Sequence, residues 1–185
     1  MHQVLLSLGA NLGNPIATLH HAIQCISQQV LTNVRVSEFY ETAPVGVTNQ
    51  PAFINVAVVG MSVANPREIR DACKSIEDQL GRQHRERWHE REIDIDVILV
   101  GDCIYDEDDV HIPHLRMHER RFVLLPACDL IPEAVCPRIQ KNLAQLLEEC
   151  EDGVSQPKRV ASSKQRAASS EQRAANSEQR VANSE

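Results

Sequence analysis

Two Asn-Pro dipeptides, Asn14-Pro15 and Asn65-Pro66, open the two strongest helical patterns of the chain, and each follows an apolar run. Asn caps a helix by accepting an unpaired amide of the first turn, and Pro at the next position has no amide to lose and a backbone angle already set for the helix. After the first dipeptide, Ile16, Leu19, Ile23, Ile26 and Val30 recur at steps of three and four. After the second, Ile69, Cys73, Ile76 and Leu80 do the same until Gly81. Such spacing gathers apolar side chains on one helical face. Between and around these helices lie four strand patterns. Residues 3–8 are mostly apolar, 34–41 alternate with β-branched and aromatic residues, 53–63 form a long apolar run, and 93–100 (IDIDVILV) alternate again. Gly101-Asp102 reads as a turn and Ile104-Tyr105 as a short returning strand.

The resulting order, strand–helix–strand–strand–helix–strand, predicts an α+β fold with a ferredoxin-like βαββαβ core. It calls for a four-stranded antiparallel sheet with both helices on one face, leaving the other face and its loops for ligands. An extra strand and additional helices after Arg116 would complete the body, which is expected to span residues 1–150.

The remainder differs in kind. From Ser163 the chain repeats every seven residues (SKQRAAS, SEQRAAN, SEQRVAN, SE), but each repeat offers only an adjacent pair of Ala or Val. A coiled-coil seam needs large apolar residues, so burial cannot hold this segment as a helix. Residues 151–185 are therefore read as a solvated, low-complexity tail without fixed structure. Segment 158–185 carries six basic and three acidic residues, so the rest of a chain with net charge -7 stands at -10. An acidic body excludes broad nucleic-acid binding. No apolar run approaches the ~18 residues of a membrane helix, and the opening MHQVLLSLGAN lacks the basic and apolar regions of a secretory signal. A cytoplasmic chain is expected. Its six cysteines, none in a CxxC pair, then read as reduced thiols, and a zinc site would want tighter spacing.

Within 93–100, Asp94 and Asp96 share one face, with Cα atoms ~6.7 Å apart, while Ile93, Ile95, Val97 and Leu99 are expected on the opposite, core face. Two carboxylates so close repel unless a proton or a cation stands between them. Mg²⁺ accepts one or two such carboxylates together with phosphate oxygens. Just upstream, in this acidic body, lie Arg82, Arg85, Arg87 and Arg91 with His84 and His89. Guanidinium groups pair bidentately with phosphate and never lose their charge. An Arg-rich loop running into a carboxylate-bearing strand is what a polyphosphate substrate needs. The plainer alternative, acids on a solvated strand face and charges on an ordinary loop, stays open on the residues alone.

Only six aromatic residues are present. Trp88 falls inside the Arg-rich loop, a natural place for a lid that excludes water. Phe53 and Phe122 stand near polar groups (Asn55; Arg120 and Arg121) and could stack on a flat heterocycle, although core packing would equally explain Phe53. No phosphate-cradling glycine motif, GxSxG or Cys/His pair suggests nucleophilic catalysis, and the segment 9–13 reads as a turn.

Taken together, several segments resemble the 6-hydroxymethyl-7,8-dihydropterin pyrophosphokinase family over residues 1–150. They are Leu8-Gly9-Ala10-Asn11-Leu12, Phe39-Tyr40-Glu41-Thr42 with Pro44 and Gly46, and Gln50-Pro51 with Phe53 and Asn55. Glu77, Gly81-Arg82, Arg87-Trp88, and Arg91 followed by Asp94-Ile95-Asp96-Val97-Ile98-Leu99 continue the series, which ends with Pro113-His114, Arg120 and Phe122. The resemblance implies transfer of pyrophosphate from MgATP to the hydroxymethyl group of a reduced pterin, with AMP released, in a monomer. It implies two Mg²⁺ ions on Asp94 and Asp96, with Arg82 and Arg91 neutralising the phosphates. Glu77, Trp88, Ile95, His114 and Arg120 are implied on the ATP side. Thr42, Pro44, Val45, Phe53, Asn55, Trp88 and Phe122 are implied around the pterin.

Departures from the family pattern are His89-Glu90 where Gly-Pro is common, His84 where Arg is frequent, Leu115 for a frequent Tyr and Ala10 for a frequent Ser. The first removes a preset turn and brings an acid near the phosphates. A metal-dependent phosphohydrolase and a non-catalytic nucleotide-binding relative are the competing readings.

Overall fold

A computed structural model describes residues 1–44, 50–83, 90–107, 109–152 and 156–160. In chain order the elements are β1 (His2–Ala10), α1 (Pro15–Gln29), β2 (Thr32–Val36), β3 (Tyr40–Thr42), β4 (Phe53–Ser62), α2 (Pro66–Gln79) and β5 (Asp94–Val100). They continue as β6 (Tyr105–Glu107), β7 (Val110–Ile112), α3 (Arg121–Cys128), β8 (Val135–Cys136), β9 (Lys141–Asn142), α4 (Leu143–Glu149) and β10 (Lys158–Arg159). Both Asn-Pro signatures start helices as expected. Asn14 accepts from the Ala17 amide, and Asn65 exchanges hydrogen bonds with Glu68 in a capping box.

The main sheet runs β10-β3-β4-β1-β5, with β2 also paired to β4 and every pairing antiparallel. This is the strand order of a ferredoxin-like core. The strand expected over 34–41 is split in two at Ser37. There the Ser37 amide donates to the Ala57 carbonyl at 3.0 Å, while the Ala57 amide donates to the Ser37 hydroxyl instead of a carbonyl, at 2.9 Å. The returning strand at Tyr105 pairs with β7 in a separate hairpin rather than with β5.

Both faces of the sheet are covered, not one. Val4, Leu6 and Leu8 of β1, with Ile54, Val56 and Val58 of β4, pack against Leu19, Ala22 and Ile26 of α1 and Ile69, Cys73 and Ile76 of α2. On the opposite face Leu5, Ala57 and Val59 pack with Val123, Leu124 and Ala127 of α3 and Leu143 and Leu146 of α4. Each fully buried Leu or Ile in these layers contributes about 1.5–3 kcal/mol.

The alternation of β5 also departs from expectation. Leu6 faces Val97 but Leu5 faces Leu99, so Ile98 is an extra residue in a bulge. The bulge moves Leu99 off the α1/α2 face, and it packs beside Ile98 under α3 and α4.

The chain does not leave the body at Glu151. Residues 158–159 form β10, pairing Lys158 with Glu41 and Arg159 with Tyr40, and the Val160 amide donates to the Phe39 carbonyl at 2.8 Å. The heptad repeats from Ser163 lie outside the described residues. Among the described residues no helix is long and apolar enough to cross a membrane.

Candidate active site

The face covered by α3 and α4 at one end opens, at the other, into a cleft of about 400 Å³. Its floor follows from the register. Gly9 of β1 sits between Asn55 of β4 and Asp94 of β5, and in the next row Ser7 sits between Ala57 and Asp96. Asp94 and Asp96 therefore share the site face, as the alternation requires. At the β3–β4 side, Asn55 Nδ2 donates to the Thr42 hydroxyl at 2.8 Å, and both residues are buried. Phe53 and Phe122 line the same cleft. Gly9 leaves room for the Asn55–Thr42 pair, because a Cβ there would lie 3.2 Å from Asn55 Oδ1 and press on it.

The opposite side is ionic. Helix α2 ends in a Schellman motif. Gly81, at φ +84°, turns the chain so that its amide bonds Asp78 O and the Arg82 amide bonds Glu77 O, both at 3.0 Å. This turn also brings the Arg82 and Glu77 side chains together as an ion pair. Arg82 Nη1 further donates to Asp94 Oδ1 at 2.7 Å, and Arg91 holds the other Asp94 oxygen.

Arg120, at the head of α3, donates to Asp96 Oδ2 at 3.3 Å, and its guanidinium stands 5.8 Å from the Phe122 ring centroid. His114 Nδ1 accepts from the Arg116 amide at 3.2 Å, and Nε2 stands 3.4 Å from Arg120 Nη1. Burial, then the Arg120 and Arg116 charges, push the His114 pKa down to about 4, so the ring is neutral near pH 7. Asp96 moves the other way. Loss of water at the bottom of the cleft and the Asp94 charge raise it to about 6, against the pull of Arg120, Arg91 and Arg82.

A residue whose position in a turn hid its role is Asn11. It is 3% exposed, and its Oδ1 accepts from the Arg91 amide at 2.8 Å while its own amide donates to Arg91 O at 3.1 Å. Its Nδ2 reaches Gln50 Oε1 and Pro51 O, both at 3.2 Å. Asn11 thus ties the backbone of a cleft Arg to the segment entering β4. Asn11→Ala is expected to cost about 1–3 kcal/mol in urea unfolding, since a part-buried amide and carbonyl lose their partners. An unchanged unfolding midpoint would show that the tie is not needed.

Of the residues singled out from the sequence, Thr42, Phe53, Asn55, Arg91, Asp94, Asp96, Arg120 and Phe122 line the cleft together. Arg82 joins them through Asp94, His114 is brought up to Arg120, and Pro44 follows the cleft-lining Ala43. Two are placed differently. The Ile95 side chain lies in the core on the α1/α2 face, and its amide is taken by Glu77 Oε1 at 2.6 Å. Glu77, 2% exposed, sits behind β5 rather than on the cleft, where burial lifts its pKa to about 7. Alternation already put Ile95 on the core side. The i, i+5 spacing of Glu77 and Arg82 across a helix end was the available sign of their pairing. Val45 and Trp88, with His84, Arg85, Arg87 and His89, lie outside the described residues. Gln50 of the Gln50-Pro51 segment also lines the cleft, as do Ser7 and Arg116, which carry no sequence motif that singles them out.

The two carboxylates are hard oxygen donors, and among the described residues no third His, Cys, Asp or Glu completes a cluster with them. Such a pair suits Mg²⁺ whose remaining ligands are phosphate oxygens and water. The guanidinium groups now resting on Asp94 and Asp96 could turn to a polyphosphate only if another cation took over the carboxylates. The elevated Asp96 pKa marks a negative charge that its Arg neighbours leave under-compensated.

Comparison with known proteins gives the same direction. Residues 5–132 match the family model described as 7,8-dihydro-6-hydroxymethylpterin-pyrophosphokinase. The chain is 35% identical over 148 residues to a 2-amino-4-hydroxy-6-hydroxymethyldihydropteridine pyrophosphokinase of Haemophilus influenzae, covering 80% of this chain and 92% of that one. It is 39% identical over 134 residues to a mitochondrial folate synthesis bifunctional protein of Arabidopsis thaliana. That match covers 72% of this chain and 24% of that longer protein. The fold also matches a crystal structure of Plasmodium falciparum HPPK-DHPS at a TM-score of 0.65 and 14% identity, over 80% of this chain and 42% of that one. With a family match across most of the body and a relative matched nearly end to end, the chain belongs to the 7,8-dihydro-6-hydroxymethylpterin-pyrophosphokinase family.

Proposed function

We propose that this chain transfers the β,γ-pyrophosphoryl group of ATP to the hydroxymethyl oxygen of 6-hydroxymethyl-7,8-dihydropterin, giving AMP and the pterin diphosphate, as a step of folate synthesis. The observation that carries this reading is the division of one cleft floor. An amide–hydroxyl pair with Phe53 stands over β3 and β4, and carboxylates with guanidinium groups stand over β5.

In the reaction the hydroxymethyl oxygen gives up its proton to solvent and forms a bond to the β-phosphorus, and the bond from that phosphorus to the α,β-bridging oxygen breaks, leaving that oxygen on AMP. In-line displacement of this kind needs positioning and charge neutralisation more than covalent help. Asn55 and Thr42 hold the polar edge of the ring, and Phe53 and Phe122 flank its faces. Arg82, Arg91 and Arg120 move from the carboxylates to the phosphate oxygens, with the neutral His114 ring beside Arg120. Asp94 and Asp96 would hold Mg²⁺, two ions on this reading, which would offset the negative charge of the phosphates. The reading is of an enzyme that acts as a monomer in the cytoplasm.

Purified protein with MgATP and the reduced hydroxymethylpterin is expected to release AMP in step with pterin consumed. ADP or orthophosphate as the product would overturn the reaction. ATP breakdown without pterin would select a phosphohydrolase, and nucleotide binding without any product a non-catalytic relative.

A further inference from the structure

The reading of the cleft leaves one polar side chain without a task. Among the described residues that line it, Thr42 and Asn55 bond each other, Gln50 bonds Asn11, and Asp94, Asp96, Arg91, Arg116 and Arg120 all stand in ion pairs. Ser7, 9% exposed, lines the same cleft, and its hydroxyl makes no hydrogen bond to any described residue. A hydroxyl offers one donor and two acceptor positions, and this one faces the cleft, where a ligand can supply the partner.

Its place indicates which ligand atom that is. In the sheet β1 lies between β4 and β5, so a substrate whose ring rests at Asn55 and whose reactive arm reaches the Asp94–Asp96 side must cross β1. The β1 positions under that crossing are Gly9, which has no side chain, and Ser7, which is paired with Asp96 on one side and Ala57 on the other. Cross-strand partners stand close enough for one small group to bond both. Ala57 offers only a methyl, so the side arm of the substrate is the polar group left to meet the Ser7 hydroxyl.

We propose that Ser7 is a specificity-determining residue whose hydroxyl donates a hydrogen bond to the hydroxymethyl oxygen of the pterin. This rests on the pterin reading given under Proposed function. Ser7 thereby selects a hydroxylated side arm and turns its oxygen toward the phosphate side before transfer.

The test is a ligand–protein cycle by calorimetry on the full chain in the presence of a non-hydrolysable ATP analogue and Mg²⁺. The wild type and Ser7→Ala would each be titrated with the reduced 6-hydroxymethylpterin and with its 6-methyl counterpart, which lacks the hydroxyl. Ser7→Ala is expected to bind the hydroxymethyl compound about 3–10-fold more weakly, the loss of one neutral hydrogen bond, with the 6-methyl compound unaffected. Affinity for the ATP analogue should not move. Equal losses for both pterins, or none, would overturn the assignment while leaving the pterin reading in place. A wild type that binds neither pterin would remove both.

Discussion

Asp96→Asn is expected to stop turnover, by about 10³-fold or more, because on the proposed reading Asp94 and Asp96 would together hold the Mg²⁺ that offsets the phosphate charge, and the variant keeps one of the two carboxylates. Stability should move in the opposite direction. The folded-state pKa of Asp96 is lifted to about 6 from an ordinary value near 3.8, so the fold disfavours its ionised form. A carboxyl shifted upward binds its proton more tightly folded than unfolded, so its contribution to stability declines as pH rises between those two values and stays low above them. In chelator-treated protein the Asn variant should therefore melt no lower than the wild type at pH 5, and higher at pH 8. Wild-type rates in this variant would remove Asp96 from the metal site. A clear drop in melting temperature at pH 8 would contradict the electrostatic account.

Arg82→Ala is expected to combine the two kinds of damage. Its guanidinium faces Asp94 at the cleft and Glu77 behind the strand, so its loss should lower kcat about 10²–10³-fold, as removal of one well-placed transition-state donor does. It also leaves Glu77 buried without its counter-charge. Breaking a buried pair from one side typically costs about 3–5 kcal/mol. Because burial already holds the Glu77 pKa at about 7, protonation can soften that cost. The destabilisation should accordingly be smaller at pH 5 than at pH 8. Adding Glu77→Gln should recover much of the stability in urea unfolding and none of the turnover. If the double variant is no more stable than Arg82→Ala at pH 8, Glu77 is not what Arg82 holds in place.

Much of this could be read from the sequence wherever the deciding chemistry is local. Asn caps followed by Pro start a helix whatever lies elsewhere in the chain, and alternation put Asp94 and Asp96 on one face. What escaped was set by partners distant in sequence. The Ile98 bulge exists because β5 pairs with β1, and nothing within IDIDVILV marks the extra residue that sends Leu99 to the other face. The break at Ser37 is a hydroxyl standing in for a carbonyl opposite Ala57, invisible to a pattern of apolar residues. Asn11 looks like any turn residue until Arg91, 80 positions on, is beside it. Glu77 and Ile95 belong to the site's surroundings as sequence neighbours of Arg82 and the carboxylates. Their side chains support those groups from behind the sheet instead of facing the cleft.

The short strand β10 has a consequence beyond the body boundary it redraws. An uncovered outer strand presents a row of unpaired amides and carbonyls to which a second molecule can add its own strand. Lys158 and Arg159 occupy that row along β3, and Arg159 also pairs with Glu38. A segment of only a few residues thus takes up the hydrogen-bonding groups of β3, at the margin of the sheet that also bears Thr42.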